Sequence, residues 1–191
     1  ALPIFALAAG HDSLKLKIGF DKDTDLKNIK DLRDLLGSDG KLMLDANQSW
    51  TMDQAKHMIQ DINPFNVSWL EEPIAADRPD EEWYRLLDIS NMPLAAGENV
   101  FSRDRFKHLV STGYLGIVQP DLAKWGGLTE TVPLAKAIIA AKKSYCPHFL
   151  GGGVGLMASA HALAAVGGDG ILELDCNPNP LRTFIAADFL K

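Results

Sequence analysis

Short apolar runs alternate with amphipathic stretches along nearly the whole chain, and this alternation restricts the fold more than any other feature. Extended runs are predicted at 2–7, 14–19, 41–46, 67–71, 94–98, 116–120, 145–148 and 171–175. Helical patterns lie between several of them, at 26–36, 52–62, 128–141 and 156–165. The first repeats apolar residues at Leu26, Ile29, Leu32, Leu35 and Leu36, and the second opens on the polar start signal Ser49-Trp-Thr-Met-Asp-Gln. Strands separated by helices pair in parallel through right-handed crossovers. Eight of them predict an α/β fold of the closed (β/α)8, TIM-barrel type, against an open doubly wound sheet as the plainer alternative.

Length strains that expectation. Barrels of this type usually take about 250 residues, and this chain has 191. Only Ala8-Ala-Gly-His-Asp-Ser separates the first two predicted strands, too little for the crossover helix a parallel neighbour requires. Two expectations follow: the first crossover helix is not represented, and residues are missing near 10–13. The whole of 1–191 then reads as one catalytic barrel domain. The chain opens on Ala1 rather than Met, which suggests a portion upstream of it.

The balance of 19 Lys plus Arg against 25 Asp plus Glu gives a net charge of −6. That argues against nucleic acid or an anionic membrane as partner, since both select clustered cations. A small anionic substrate needs only a local cationic patch. No apolar stretch reaches the roughly 20 residues of a membrane span, and no secretory leader is visible. Cys146 and Cys176 make no disulfide framework and read as reduced thiols, which points to the cytoplasm.

An ionisable residue stands at or near the end of each predicted strand from the second onward. These are Lys17 (with Lys15), Asp45, Glu71 (with Glu72), Glu98, Asp121, His148 and Glu173, and successive intervals from Lys17 are 28, 26, 27, 23, 27 and 25 residues. Active sites of such barrels are assembled at the C-terminal strand ends, one contribution from each of several strands. Asp45, Glu71 and Glu98 are three carboxylates on successive strands with no Cys or His among them. This donor set suits a hard cation, Mg²⁺ or alternatively Mn²⁺. Lys15 and Lys17, two apart on a strand, share one face. Their mutual repulsion beside a metal is expected to lower a lysine pKa into the range useful for a general base. A carboxylate at Asp121 would fix the tautomer of His148, the second acid/base candidate.

These residues sit in stretches that resemble the catalytic barrel of the enolase superfamily, in its mandelate racemase subgroup. The stretches are Leu14-Lys-Leu-Lys-Ile-Gly, Leu44-Asp-Ala-Asn-Gln-Ser-Trp, Trp69-Leu-Glu-Glu-Pro, Ala96-Gly-Glu-Asn, Gln119-Pro-Asp-Leu-Ala-Lys-Trp-Gly-Gly and Cys146-Pro-His-Phe. The resemblance implies that Asp45, Glu71 and Glu98 bind Mg²⁺. It implies that Lys17, assisted by Lys15, and His148, oriented by Asp121, are the acid/base groups, with Glu173 near the substrate carboxylate. Asn47, Glu72 and Asn99 would stand behind the metal ligands. Members of this group begin with a capping domain that closes the site, and nothing here corresponds to it. They usually associate, so a homo-oligomer is expected.

The implied chemistry is abstraction of the proton alpha to a carboxylate, with a metal and lysine stabilising the enolate. Dehydration of an aldonate or aldarate to a 2-keto-3-deoxy acid is the leading expectation, and racemisation or epimerisation of a 2-hydroxy acid the next. A third reading makes Lys124 the base, as in muconate-lactonizing relatives. A carboxylate-binding pseudoenzyme would have lost a metal or base position, and none is lost. Elsewhere, the run Gly151–Gly155 reads as a mobile loop over the site rather than a phosphate cradle. His161 reads as a packed core histidine, and His11, His57 and His108 as surface. Trp50, Trp69 and Trp125 are expected to pack near the rim or, equally, in the core. Asn177-Pro-Asn-Pro-Leu-Arg182 reads as a turn whose Arg182 contacts substrate or a neighbouring subunit.

Overall fold

The computed structural model describes residues 6–8 and 10–188. Six parallel strands are joined by helices: β1 (Ser13–Lys17), α1 (Lys22–Leu36), β2 (Lys41–Asp45), α2 (Met52–Ile62), a short 3-10 turn (Asn63–Phe65), β3 (Trp69–Glu71), α3 (Asp80–Leu87), β4 (Leu94–Ala96), α4 (Arg103–Ser111), β5 (Leu115–Val118), α5 (Gly127–Ala140), β6 (Ser144–Tyr145), α6 (Gly153–Val166) and α7 (Pro180–Ile185). The strands are hydrogen-bonded in the order of the sequence, β1-β2-β3-β4-β5-β6. A doubly wound sheet reverses its strand order at a switch point. No reversal occurs among the described strands, so the successive βα units are of the (β/α)8 kind. No helix among the described residues is long and apolar enough to cross a membrane.

Two expectations about strands need correction. Predicted strand 2–7 lies mostly outside the described residues, but residues 6–8 are helical, with the His11 N–H donating to Ala6 O at 3.1 Å. Segment 171–175 is not a strand either. Gly170 explains part of this, because the chain there runs so close to β6 that a Cβ would lie 1.8 Å from Tyr145 O. Three helices, α3, α4 and α7, are absent from the sequence expectation.

The chain forms two compact units, Ala1–Ala95 and Ala96–Lys191. In the first, α2 is the most completely specified element. Thr51 and Gln54 form a reciprocal capping box, and Ala55, Met58, Ile59 and Ile62 form its buried face. Helix α1 is capped by Asp21 and buries Ile29 and Leu32. Its Arg33 gathers four carbonyls, donating from Nε to Phe65 O (3.0 Å), from Nη1 to Gly37 O (2.7 Å) and Gly40 O (2.8 Å), and from Nη2 to Asn66 O (2.8 Å). The core beneath is Leu42, Leu44, Leu70 and Leu94, all fully buried.

In the second unit α4 is capped by Ser102 and buries Phe106 and Leu109. Phe106 meets Trp125 with ring centroids 4.8 Å apart. Helix α6 starts inside the glycine run, at Gly153, so only Gly151 and Gly152 belong to the loop after His148 and the rest of the run is helical. A Cβ at Gly153 would lie 2.6 Å from Ile185 Cβ, and one at Gly155 would lie 2.8 Å from Phe149 Cε2. These glycines are packing positions that let α7 and Phe149 close on α6. His161, on the same helix, is exposed rather than packed in the core. His11, His57 and His108 are exposed as expected. Trp50 and Trp69 are buried and Trp125 half-buried.

Candidate active site

The candidate residues fall into two sets, one in each unit. In the first, parallel register places Lys17 beside Asp45 and Asp45 beside Glu71 across β1, β2 and β3. One row across three strands therefore carries a cation and two carboxylates. Asp45 and Glu71 are almost wholly buried. A buried carboxylate is costly unless paired and hydrogen-bonded, and lysine supplies the pairing. Lys15 Nζ donates to Glu71 Oε1 (3.1 Å) and Oε2 (2.9 Å) and lies 3.8 Å from Asp45 Oδ2. Lys17 Nζ is paired with Asp45 Oδ2. The Asn47 N–H donates to Asp45 Oδ1 at 2.8 Å, and Trp69 Nε1 approaches Glu71 Oε2 at 3.4 Å.

With only protein groups beside it, the Lys17 pKa is raised; the lowering expected above is for a lysine standing next to a metal. Burial and Lys15 do favour the neutral amine, but the hydrogen bond and charge of Asp45, with Glu71 beyond, outweigh them and raise it. Two lysines facing two buried carboxylates form ion pairs, so attraction overrides the repulsion between the lysines.

The backbone around this row is held tightly. Asn47, Gln48 and Glu72, just past Asp45 and Glu71, have φ of 45°, 61° and 41°. Left-handed non-glycine residues cost free energy and persist where surrounding contacts impose them. Here the Gln48 N–H donates to Glu72 O (2.8 Å), and Gln48 Oε1 accepts from the Ala76 N–H (2.8 Å). The exit from β1 is fixed likewise. Buried Asp25 accepts from the N–H groups of Gly19 (2.8 Å) and Phe20 (3.1 Å) through Oδ2.

The second set centres on His148, which follows β6 and is buried. Its Nδ1 lies 2.8 Å from Asp121 Oδ2, its Nε2 lies 2.6 Å from Glu98 Oε2, and Glu173 Oε2 stands 3.9 Å from the same Nε2. Asp121 is pinned through Oδ1 by the N–H groups of Ala123 (2.8 Å) and Lys124 (3.1 Å). Burial works against a charged imidazole, but bonds to Asp121 and Glu98 outweigh it and push the His148 pKa up to about 9. Asp121 and Glu98 are shifted downward against the same burial, by His148 and, for Glu98, by Lys124 Nζ at 2.9 Å. Lys124 is thus paired with Glu98, a contact that sequence spacing did not indicate. Asn99 Nδ2 donates to Glu98 Oε1 at 3.3 Å.

Glu173 reaches this cluster without a strand to carry it, accepting from the Phe149 N–H at 3.2 Å. Glu98 depends on Gly97, whose φ is 151° and whose added Cβ would lie 2.6 Å from the Gln119 backbone. Arg182 does not face outward; it is 4% exposed and occupied within its own unit. Cys146 is buried, Cys176 exposed, and both are free thiols. A groove of about 470 Å³ between α4 and α5, lined by Phe106, Val110, Trp125 and Leu134 with Arg103 and Lys107, includes none of these site residues.

Among the described residues, no three His, Cys, Asp or Glu side chains converge as a ready metal cage. Asp45 and Glu71 nevertheless suit a hard divalent cation. They are oxygen donors, buried, in register on neighbouring strands, and already matched to positive charge.

With this geometry in view, comparison with known proteins is informative. The enolase C-terminal domain-like family matches residues 5–191. A D-galactarolactone cycloisomerase from Agrobacterium fabrum is 31% identical over 96% of this chain and 50% of its own length. A D-galactonate dehydratase from Klebsiella pneumoniae is 35% identical over 73% of this chain and 36% of its own length. A mandelate racemase/muconate lactonizing enzyme from Bordetella bronchiseptica RB50, known as a crystal structure, superposes with a TM-score of 0.94. It shares 46% identity, over 96% of this chain and 52% of its own. The chain thus spans half or less of these curated relatives. It belongs to the enolase superfamily, as a C-terminal domain of the mandelate racemase/muconate lactonizing enzyme kind.

Proposed function

We propose that this chain supplies the acid/base machinery of an acid-sugar dehydratase, acting on an aldonate or aldarate and giving a 2-keto-3-deoxy acid. The observation that carries the reading is the pinned Asp121–His148 pair, with the imidazole held at 2.8 Å. Dehydration needs a proton delivered to a poor leaving group, the β-hydroxyl, and an oriented imidazole can deliver one from Nε2. Relatives named for D-galactonate dehydration and D-galactarolactone cycloisomerisation support an acid-sugar substrate.

Asp45 and Glu71 would hold Mg²⁺, and the family resemblance adds Glu98 as the third ligand. When bound, the ion supplies electrostatic stabilisation of the charge that develops on the substrate carboxylate. In this reading Lys17 Nζ, as the neutral amine, removes the proton alpha to that carboxylate, which requires release from Asp45 and loss of its own proton to solvent beforehand. Lys15 Nζ keeps its place on Glu71 and contributes positive charge. The oriented His148, once its Nε2 is released from Glu98, protonates the departing hydroxyl, and Glu173 lies beside it. A second reading, cycloisomerisation of an acid-sugar lactone, is favoured by the cycloisomerase relative that matches 96% of the chain.

The test is a proton NMR screen of aldonates, aldarates and their lactones in D₂O with Mg²⁺. Loss of the C2 proton with a 2-keto-3-deoxy product is the expected result. Lactone opening without net loss of water would establish the second reading. Deuterium at C2 with no loss of water would replace both with racemisation.

A further inference from the structure

Segment 171–176, which carries Glu173, has no regular secondary structure. A side chain that must stand beside an imidazole cannot be placed by a free loop, so something else must hold this one. The holding group is Arg182 on α7. Its guanidinium, almost fully buried, donates from Nη1 to Asp175 Oδ2 (2.9 Å) and Gly151 O (3.3 Å), and from Nη2 to Asn177 O. Asp175 Oδ1 is taken by Asn177, from its N–H at 2.9 Å and its Nδ2 at 2.8 Å. Asn179 reinforces the junction. Its Nδ2 donates to Gly151 O (3.2 Å), and its Oδ1 accepts from the Arg182 N–H (3.1 Å).

The acceptors belong to two different loops. Gly151 lies three residues past His148, while Asp175 and Asn177 lie just past Glu173. Between the two loops runs the Phe149 N–H to Glu173 bond of 3.2 Å. A planar fork with several donors can bridge two loops at once, which a lysine ammonium does less well. Burying such a charge is expensive unless it is fully paired, so a surface staple is a poor explanation for it.

We propose that Arg182 is a positioning residue that joins the His148 loop to the Glu173 loop and thereby fixes Glu173 against the Phe149 amide and the His148 ring. The inference rests on the acid/base reading of His148 and Glu173 given above. Its observable is the Phe149–Glu173 bond, which is independent of any substrate.

The experiment is amide hydrogen exchange on the intact protein, comparing R182M and R182K with the parent, alongside turnover on whichever acid sugar reacts. In R182M the Phe149 amide is expected to exchange about tenfold faster, while Leu44 in the first unit keeps its protection. R182K should fall between. Turnover should lose about 10²-fold in kcat with KM little changed, because misplacement by a fraction of an ångström degrades the reacting geometry more than binding. Unchanged Phe149 protection in folded R182M would overturn the proposal, as would an equal loss of protection at every amide. If R182M does not fold, Asp175→Ala removes the ion pair together with the Asn177 bonds to Oδ1, leaves Arg182 in place, and the same Phe149 measurement decides. If no acid sugar reacts, the functional reading falls, while the exchange result still settles whether Arg182 holds Glu173.

Discussion

The Nδ1 atom of His148 lies 2.8 Å from Asp121 Oδ2, and the other oxygen of Asp121 is pinned by two backbone N–H groups. The carboxylate therefore sets the tautomer and the angle of the ring together. Asp121→Asn keeps the shape and loses that control. Turnover should fall by about 10²–10⁴-fold with little change in thermal midpoint, as when the carboxylate of other Asp–His pairs is neutralised. Steady-state kinetics on the substrate identified by NMR, with a melting curve as control, would check it. A mutant with full turnover would remove His148 from the mechanism.

Mg²⁺ binding at Asp45 and Glu71 should appear as stability before any substrate is known. A ligand that binds only the folded state stabilises it by about 2.7 kcal/mol at a hundredfold excess over its dissociation constant. The thermal midpoint should rise with Mg²⁺ and return on chelation. In Glu71→Gln the rise should be largely lost, because one of the two buried donors has gone. Equal response in parent and mutant would place the ion elsewhere.

Gly97→Ala should be among the most damaging small changes in the chain. The new methyl would lie 2.6 Å from Gln119 backbone atoms at a φ that L residues rarely adopt. A loss of about 2–4 kcal/mol is expected from clash and strain together, readable as a lower urea midpoint. Gly37→Ala makes a control, since φ is also positive there but a Cβ meets nothing.

Asp175 gives a pH dependence of defined sign. Burial works against its carboxylate, but Asn177 and Arg182 outweigh it and hold the carboxyl below its ordinary value. A depressed folded value means stabilisation that is complete above the unfolded pKa and lost as pH falls through the folded one. The parent should therefore exceed Asp175→Asn in urea midpoint at about pH 6, and the gap should narrow steadily as pH falls below the ordinary aspartate value of about 4. A gap that widened in acid would contradict the assignment.

What the sequence made legible followed from local signals. Helix α2 begins and ends where predicted because Thr51 and Gln54 close a capping box and the apolar period is clean. The ionisable residue at successive strand ends located Asp45 and Glu71, since parallel register turns equal spacing into adjacency. Helices α3 and α4 went unread although Pro79 and Ser102 mark their starts, because they are only 8 and 9 residues long and each buries only two. Segment 171–175 has the apolar content of a strand, but side chains and the close approach at Gly170 hold it instead of a ladder. The pairing of Lys15 and Lys17 with Glu71 and Asp45 was not legible, because two lysines on one strand are visible in sequence whereas their partners depend on register.

Arg33 lends these strands a division of labour. Its four carbonyl partners lie at the entrances to β2 and β3, while Asp45 and Glu71 stand at the exits of the same strands. Damage at the entrances should register as melting, and change at the exits as altered chemistry. A laboratory seeking a new substrate can therefore diversify exposed positions of the turn after Asp45, such as Ser49, while keeping Gln48, buried Glu72 and the left-handed backbone at 47, 48 and 72. The Arg33 end, left untouched, would keep the altered chains folded long enough to be selected.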